Sequence, residues 1–375
     1  MPRLSILGTR GIPGAHGGFE TFAEQLALYL SQQGWQVTVY CQAEGDDPIH
    51  EDYWQGIRRL IVPVRQGGPL GTILYDWHCV KHARKDAGLV LTLGYNTAVF
   101  SALYAGTPVR HLMNMDGFEW KRAKWSLPVR AWFYLNEHVG ARISHHLIAD
   151  NPHIAAHLQR RTPARRITMI PYASEPISTP DDSLLAEFGL QANGYLLLIA
   201  RPEPENSILE LVQAFCARPR RHKLLVLGNY TEAPYPRAVK AAANDHVVFA
   251  GAIYSAPHLH TLRTFATLYL HGHQVGGTNP SLVEALAAGN AVLAHDNPFN
   301  RWVAGDAARY FNDVASADDW LSTLLNDERL LGTLQAEARQ RHRSTFMPAQ
   351  VLGAYEKLLA QFANAGPLPA LQTEP

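Results

Sequence analysis

The feature that most constrains the fold of this chain is a repeated alternation of short apolar runs with longer stretches of helical periodicity. Residues 4–8 and 37–40 have the composition of buried strands. Between them, apolar residues recur at helical spacing from Phe19 to Leu30, and Gly34 ends the run. A strand, a helix and a second strand in this order predict a βαβ unit with parallel strands.

The same pattern continues through both halves of the chain. In the first half it predicts strands at residues 60–62, 89–93, 109–112, 147–149 and 167–170, with a helix over 98–105. After Pro171 it restarts, with strands at 195–200, 223–227, 247–250, 267–270 and 291–294 and a first helix marked by Ile208, Leu211, Val212 and Phe215. Each half therefore predicts an α/β domain, a doubly wound parallel sheet covered on both faces.

The length of 375 residues agrees with two domains, at about 100–200 residues each. We expect the first domain over residues 1–173 and the second over 174–346, joined by a linker at 174–182. A last helical stretch follows at 347–364. Residues 365–375 contain three prolines and are expected to form a flexible tail.

Composition excludes several classes of protein. Apolar residues make up 47% and charged residues 18%, which argues against a disordered chain and against a coiled coil. Lys plus Arg and Asp plus Glu both total 33, but residues 1–174 carry 18 basic and 13 acidic side chains. The two halves of the sequence thus differ in charge, +5 against −5, although the sum is zero.

Two features bear on the cellular compartment. The three cysteines are far apart and have no metal-ligand spacing, so we expect free thiols in a reducing, cytoplasmic compartment. Residues 87–109 carry no charge, and a run of 23 such residues is long enough to span a membrane. Gly94, Asn96 and Thr97 interrupt it, which favours a strand, a loop and a helix instead.

The loop after the first strand is rich in glycine, with five glycines between Gly8 and Gly18 just before a helix. Glycines let a backbone approach a ligand closely, and a helix N-terminus attracts anions. The spacing is not Gly-x-Gly-x-x-Gly, and strand two ends in Cys41-Gln42 without an acidic residue, which excludes the common dinucleotide pattern. A flexible turn is the alternative to phosphate binding.

Three segments carry a resemblance to a known family. TRGIP and GGFET within residues 9–21, NMDGFEWKR at 114–122 and HGHQVGGTNPSLVEA at 271–285 resemble bacterial rhamnosyltransferases in the large family 4 group of retaining GT-B glycosyltransferases. The resemblance implies two Rossmann-like domains facing a cleft, with the acceptor on the first and a nucleoside diphosphate sugar on the second. It also implies that no metal is needed and that the last helix packs on the first domain.

The resemblance assigns donor-site roles in the second half. Glu284 matches the carboxylate that holds the ribose hydroxyls, whereas Gly276 stands where the wider group has a second carboxylate. Arg201 matches an arginine that grips the diphosphate, and Asn206 replaces a lysine. A guanidinium suits diphosphate oxygens without a metal. The further donor-site candidates in this half are Tyr254, His271, His273, Gly277, Thr278 and Asn279. Gly17 and Gly18, from the glycine-rich loop of the first half, are donor-site candidates as well.

Each of these assignments has a structural alternative. Glu284 would by itself be a surface carboxylate on an amphipathic helix, and Arg201 would pair with Glu203 or Glu205. Thr278 or Asn279 can cap a helix that begins at Pro280. The i, i+2 histidine pairs at 258/260 and 271/273 suggest a metal site as an alternative, but no third ligand with suitable spacing lies near them in the sequence.

The first half supplies candidates for the acceptor. Asp116 follows the strand at 109–112, where its carboxylate would orient the acceptor or accept a proton, with a helix cap as the alternative. Glu119 is a weaker candidate for the same role. Glu20, early in the first helix, either contacts the acceptor or complements the helix dipole.

A tryptophan-rich and basic segment suggests contact with a membrane surface. Residues 110–166 hold ten basic and four acidic side chains, and basic residues beside tryptophans are typical of interfacial segments. The candidate contact residues are Trp120, Lys121, Arg122, Lys124 and Trp125. A core helix with a solvated face is the alternative; a nucleic-acid partner is not expected, because no reader motif is present.

Together these features predict a glycosyltransferase. The resemblance implies transfer of rhamnose from thymidine diphosphate rhamnose, with retention, to a lipid-linked oligosaccharide of a surface polysaccharide such as lipopolysaccharide or capsule. It would act peripherally at the cytoplasmic face of the inner membrane. A nucleotide-sugar epimerase and a non-catalytic sugar-binding assembly protein are the alternatives.

Overall fold

The computed structural model describes residues 1–14, 17–86, 88–177 and 180–363. The chain divides into two compact units. Unit 1 comprises Met1–Trp120, Leu127–Ile170 and the chain from Val351, and unit 2 comprises Lys121–Ser126 and Pro171–Gln350. The short segment Lys121–Ser126 thus lies in unit 2, although the sequence analysis includes it in residues 1–173. The predicted tail at 365–375 lies outside the described residues.

This division changes the charge balance. Counted by compact unit, unit 1 has 16 basic and 15 acidic side chains and unit 2 has 17 and 18. The difference between the two halves of the sequence therefore almost disappears, mainly because Lys121, Arg122 and Lys124 belong to unit 2. Each unit is close to neutral.

Unit 1 is built around one sheet. Among the described residues, its strands are β1 (Arg3–Leu7), β2 (Gln36–Glu44), β3 (His50–Trp54), β4 (Ile57–Val64), β5 (Leu89–Leu93), β6 (Arg110–Asn114), β7 (His146–Ala149) and β8 (Ile167–Met169). Its first helices are α1 (Gly18–Gln32), α2 (Gly68–Asp86), α3 (Leu127–Ile143) and α4 (Pro152–Leu158). The strand order is β3-β4-β2-β1-β5-β6-β7-β8, and every neighbouring pair except β3 and β4 is parallel.

The antiparallel edge strand β3 is absent from the sequence prediction, which expected parallel strands throughout. Its sequence, HEDYW, contains no apolar run because the strand lies at an exposed edge. Gln55 and Gly56 join it to β4 with φ angles of 46° and 81°, the left-handed backbone of a two-residue hairpin turn. The sheet is therefore mixed, with a hairpin at one edge.

Unit 2 contains a second sheet that is wholly parallel across the pairs described. Its strands are β9 (Tyr195–Ile199), β10 (Lys223–Leu227), β11 (Val247–Phe249), β12 (Leu268–His271), β13 (Val292–His295) and β14 (Ala308–Phe311). Its helices are α5 (Ile208–Cys216), α6 (Pro234–Ala241), α7 (Ala256–Thr264), α8 (Pro280–Ala287), α9 (Pro298–Ala304), α10 (Val314–Asn326) and α11 (Glu328–Thr345). The strand order is β11-β10-β9-β12-β13-β14, of which only β14 is absent from the prediction.

Both faces of this second sheet are buried, because successive side chains of a strand point to opposite faces. On β9, Tyr195 and Leu197 join one apolar cluster with residues of α8, whereas Leu196 and Leu198 join another with residues of α5. All four side chains are at most 1% exposed. The continuous apolar run in the sequence is thus a central strand covered by helices on both sides.

The last helix, α12 (Pro348–Ala363), contributes most of its length to unit 1. Tyr355 accepts a hydrogen bond from the Asn114 side chain at 2.9 Å, and Glu356 accepts one from the Tyr29 hydroxyl at 3.0 Å. The Tyr355 ring also packs on Phe22, with the centroids 4.8 Å apart. The end of the chain therefore completes the core around β6 and α1.

The uncharged run at 87–109 does not form one long helix. Leu89–Leu93 is strand β5, and Ala98–Tyr104 is a 3₁₀ helix. In the part of the chain that the structure describes, none of the helices has the length and apolarity needed to cross a bilayer.

A partly buried carboxylate lies beside the central strands of unit 1. Asp76 of α2 lines a cavity of about 10 Å³ together with Gly8 and Thr92, which is room for about one water molecule. The Thr97 hydroxyl donates to Asp76 Oδ2 at 2.7 Å. Burial outweighs this hydrogen bond and raises the pKa of Asp76 to about 6.

We predict that Asp76→Asn raises the free energy of unfolding at pH 7.5 by about 1–2 kcal/mol. Because the folded state holds the Asp76 proton more tightly than the unfolded chain, the native protein loses stability as the pH rises from about 4 through 6. The advantage of the variant should vanish near pH 4, as measured by urea denaturation across this range. The exposed Asp47→Asn is the control, and an equal effect of both variants would contradict the prediction.

Candidate functional site

The second sheet has a topological switch point between β9 and β12. From β9 the chain proceeds outward through β10 and β11, and it then returns to place β12 on the other side of β9. The loops that follow β9 and β12 therefore leave the carboxyl edge side by side, and ligands of open α/β sheets bind at such a point. These loops contain most of the predicted donor-site residues.

The loop after β9 presents Arg201 to solvent. Arg201 is exposed, and its carbonyl oxygen accepts hydrogen bonds from Glu203 N at 2.7 Å and from the Asn206 side chain at 2.8 Å. Ser207 follows with a left-handed backbone, φ 48°, at the start of α5. Asn206 is 2% exposed. Its buried side chain stabilises the turn that presents Arg201, because it is bonded to the Arg201 carbonyl oxygen.

The loop after β12 packs directly on this turn. A Cβ atom at Gly272 would lie 2.0 Å from the carbonyl oxygen of Asn206, so only glycine fits there. Gln274 joins the loops twice, through its backbone N to Glu205 O at 2.9 Å and its side chain to Ser207 Oγ at 2.8 Å. The loops after β9 and β12 therefore hold each other in place.

Two histidines line the base of the second loop. The rings of His271 and His273 stack with centroids 4.5 Å apart. His271 is 1% exposed, and neither of its ring nitrogens has a hydrogen-bond partner among the described residues. Burial, with the nearby His273 and His295, holds the pKa of His271 well below its usual range. Burial and the charges of Arg122 and Arg201 lower the pKa of His273 to about 3, so both rings are neutral.

Two asparagines that the sequence analysis did not identify hold this loop in place. Asn297 and Asn300 each donate a side-chain hydrogen bond to the His273 carbonyl oxygen, at 3.0 and 2.8 Å. Asn300 also donates to the His295 carbonyl oxygen at 2.9 Å. The Asn297-Pro298 pair at the start of α9 is a recognisable cap signal, but it does not indicate contact with the loop.

Helix α8 begins at the end of this loop, as predicted. Asn279 caps it by accepting a hydrogen bond from Ser281 N at 3.0 Å, and Pro280 occupies its first position. Thr278 is 2% exposed. Gly276 has φ 147° and open space on its Cβ side, and Gly277 follows it. The loop thus leads into a helix N-terminus, whose positive dipole end attracts an anion.

Glu284 lies one turn into α8 and is paired with a buried arginine. Arg263 of α7 is 4% exposed and binds Glu284 Oε2 through Nη2, whereas the Glu284 side chain is 41% exposed. The sequence analysis did not identify Arg263, because arginine in an amphipathic helix is normally a surface residue. Tyr254 lies in the segment before α7 and is 80% exposed, and its role in the donor site stays a prediction.

The segment Lys121–Ser126 brings further charges to the first loop. Arg122 binds Glu205 Oε1 at 2.5 Å and Glu203 Oε2 at 3.0 Å, and Lys124 binds Glu203 Oε1 at 3.0 Å. Burial would raise the pKa of Glu203, but Lys124, Arg201 and Arg122 together lower it. Arg122 and Lys124, predicted to contact a membrane, are thus ion-paired inside unit 2.

The other residues predicted to contact a membrane differ in their surroundings. Trp120 belongs to unit 1 and donates from Nε1 to Glu137 Oε2 at 2.6 Å. Lys124 Nζ lies 4.8 Å from the centroid of the Trp125 ring, and Lys121 is exposed. The proposed contact of these residues with lipid stays a prediction.

Asp116 lies beyond the carboxyl end of β6 in a strained backbone conformation. Its φ is 43°, in the left-handed region, and its N donates to Asn114 Oδ1 at 2.9 Å. The Tyr95 hydroxyl donates to Gly117 O and accepts from Glu119 N, both at 2.9 Å. Asp116 is therefore held in one fixed position, and strain of this kind is common at functional sites.

A buried carboxylate supports the same motif. Glu137 is 2% exposed and accepts from Trp120, while His157 and Arg161 each lie 2.8 Å from its Oε1. Burial would raise the pKa of Glu137, but these partners outweigh it and lower the pKa. Sequence spacing gave no signal for this network, since its members are up to 41 residues apart.

The glycine-rich loop of unit 1 is described except for residues 15 and 16. Gly17 is the N-cap residue of α1, and Gly18 is its first residue. Glu20 accepts a hydrogen bond from Arg10 N at 3.0 Å, and Glu24 accepts one from Gly14 N at 2.6 Å. Both carboxylates of α1 thus hold the loop.

No group of three or more His, Cys, Asp or Glu side chains arranged for a metal ion occurs within the described residues. His258, from one of the predicted pairs, instead contacts Ser255 Oγ at 2.7 Å and Glu187 Oε2 at 3.2 Å.

The chain resembles known proteins mainly in its fold, since the sequence identities are low. A family described as "Domain of unknown function (DUF1972)" matches residues 1–175, and no curated protein matches the chain. Sucrose-phosphate synthase from Thermosynechococcus elongatus is similar in structure, with a TM-score of 0.82 and 18% identity over 97% of this chain and 100% of that chain.

Two further solved structures are similar. HepE from Anabaena in complex with UDP has a TM-score of 0.76 and 14% identity, over 96% of this chain and 100% of that one. WaaG, a glycosyltransferase involved in lipopolysaccharide biosynthesis, has a TM-score of 0.72 and 16% identity, over 97% and 100%. The chain therefore has the GT-B glycosyltransferase fold, and the fold predicted from the sequence is confirmed.

We predict that Asn300→Ala lowers the free energy of unfolding by about 2 kcal/mol, because it removes a buried donor from two carbonyl oxygens. Asn326→Ala is the control, since Asn326 is exposed and its side chain donates to Ser322 O within the same helix. Its effect should stay within about 0.5 kcal/mol. Chemical denaturation measures both, and equal losses would contradict the role of Asn300 in the loop.

Proposed function

We propose that the protein is a glycosyltransferase whose donor is a nucleoside diphosphate sugar. The observation that carries the proposal is the packing of the loop that presents exposed Arg201 on the loop that leads into α8, at the switch point of the second sheet. A guanidinium and a helix N-terminus are both suited to a diphosphate. HepE, which has the same fold, was solved with UDP and with UDP-glucose, and this supports a nucleotide-sugar donor.

The reaction breaks the bond between the anomeric carbon and the diphosphate oxygen, which takes the bonding electrons. Arg201 and the positive dipole end of α8 stabilise the charge that develops on this leaving group. The acceptor hydroxyl oxygen forms the new bond on the same face of the sugar, so the configuration is retained. Its proton passes to the departing phosphate oxygen, and Asp116 orients the acceptor hydroxyl, with Glu119 and Glu20 as further acceptor contacts.

Rhamnose carried by thymidine diphosphate is the proposed donor. Gly276 offers no side-chain acceptor at the position where the resembling family has a carboxylate, and the space beside it is open. The absence of an acceptor for a sugar hydroxyl favours a deoxy sugar. The proposal invokes no metal, since Arg201 and helix α8 act on the diphosphate.

The proposed acceptor is a lipid-linked oligosaccharide at the cytoplasmic surface of the inner membrane. One face of α3 suits such a surface: its side chains lie in a single stripe without an acidic residue, formed by Leu127, Ala131, Tyr134, Leu135, His138 and Arg142. Leu127, Tyr134 and Leu135 are 76, 46 and 50% exposed. Exposed apolar side chains beside a cation are the composition of an interfacial helix. We call this stripe the α3 face.

We predict that Arg201→Ala lowers kcat/KM for sugar transfer by about 100-fold, because a donor that stabilises the leaving group is lost. Arg201→Lys should recover part of the activity, since it keeps the charge but loses the fork of donors. The assay follows nucleoside diphosphate release from thymidine, uridine and guanosine diphosphate sugars with a lipid extract as acceptor. Arg329→Ala, at an exposed position of α11, is the control.

The outcomes of this assay separate the alternatives. Full activity of Arg201→Ala would contradict the assigned diphosphate site. Epimer formation by the natural protein without an acceptor would indicate an epimerase, and the absence of turnover by the natural protein with every donor would favour a non-catalytic protein. The anomeric configuration of the product, read by NMR, tests retention.

We predict that the protein binds vesicles containing anionic phospholipid at low salt and that Leu127→Asp with Leu135→Asp weakens this binding by tenfold or more, about 1.4 kcal/mol. Raised salt should also release the protein, since the attraction to anionic lipid is screened. Co-sedimentation measures both effects. Leu70→Asp is the matched control, because Leu70 is 57% exposed on α2. Equal binding by all variants would exclude the α3 face.

A further inference from the structure

The contact between Arg263 and Glu284 bears on which nucleoside the site accepts, and the inference rests on the proposed function. Arg263 is 4% exposed and binds Glu284 Oε2. Its Nη2 also lies 3.4 Å from Ser281 Oγ, which contacts the Tyr269 hydroxyl at 2.7 Å. Oε2 is thus turned toward buried Arg263, which Ser281 links to the buried Tyr269 hydroxyl.

The ion pair with Arg263 gives the two oxygens of the Glu284 carboxylate different surroundings. A carboxylate that holds a vicinal diol in the usual bidentate way uses one oxygen for each hydroxyl. Here Oε2 neutralises a buried guanidinium, and separating the two would leave an uncompensated charge, which is strongly unfavourable. Since the Glu284 side chain as a whole is 41% exposed, Oε1 is the oxygen that remains for a ligand.

We infer that Glu284 binds one sugar hydroxyl of the nucleoside rather than a pair. A 2′-deoxyribose, which presents only its 3′-hydroxyl, then satisfies the site as well as a ribose does. The substrate class includes deoxynucleoside diphosphate sugars, and the 2′-hydroxyl of a ribonucleoside adds little to affinity. Arg263 acts as a positioning residue that sets this selectivity through Glu284.

The test compares ligands that differ only in the 2′-hydroxyl. Calorimetry with the full chain gives Kd for uridine and 2′-deoxyuridine diphosphate, and for 5-methyluridine and thymidine diphosphate. We expect the two members of each pair to bind within about threefold of one another. Glu284→Gln should weaken the binding of all four by about tenfold, because a hydrogen bond to a charged group becomes a neutral one. Glu232→Gln, at a side chain that is 83% exposed, is the control.

Each possible result bears on whether Glu284 binds a single sugar hydroxyl. A tenfold or greater preference for the ribonucleotide in both pairs overturns the inference and leaves the proposed function intact. Unchanged affinities in Glu284→Gln also overturn it, since the carboxylate would then not touch the sugar. Failure of all four diphosphates to bind would contradict the proposed function and the inference together. If Glu284→Gln does not fold, the comparison of the four ligands with the natural protein still decides the question of selectivity.

Discussion

The close approach of Gly272 to the Asn206 carbonyl oxygen is the constraint on which the rest of the candidate site depends. It brings the loop after β12 against the loop after β9 at a distance that no side chain at residue 272 would permit. The Gln274 hydrogen bonds to both backbone and side chain follow from that contact. Arg201 and the start of α8, which come from separate strands, thus rest on a common support.

Charge within unit 2 is balanced locally. Two carboxylates, Glu203 and Glu205, lie on the same loop as Arg201 and would by themselves repel a diphosphate. Arg122 and Lys124 neutralise them from the segment Lys121–Ser126, which precedes the rest of unit 2 by some 45 residues in the chain. The acidic excess of the second half of the sequence therefore does not describe the surroundings of Arg201.

Most of the strands could be predicted from the sequence, because central strands of a doubly wound sheet are continuous apolar runs bounded by turns. The polar edge strand β3 carries no such signal, and neither does β14, which follows a short helix. The cap and first residue of α8 were also predictable, since Asn279-Pro280 has a local physical meaning.

The partners of the site residues could not be predicted in the same way. Arg263, Asn300 and Glu137 act through contacts with residues far along the chain, and an isolated arginine, asparagine or glutamate in a helix has no pattern that names its partner. The partners of the basic and tryptophan-rich segment could not be predicted from its sequence either. Its composition suited a membrane, but Arg122 and Lys124 are bound to carboxylates that only the fold brings near.

The position of α12 sets the order in which the molecule is completed during synthesis. Unit 1 receives Tyr355 and Glu356 from the end of the chain, although its other residues are made first. At about 5–20 residues per second, the ribosome needs roughly 10–35 seconds to make the intervening residues 171–350. During that time Tyr355 is not yet present to contact Asn114 and Phe22, so unit 1 emerges as an unfinished core, and its final packing step follows the synthesis of unit 2.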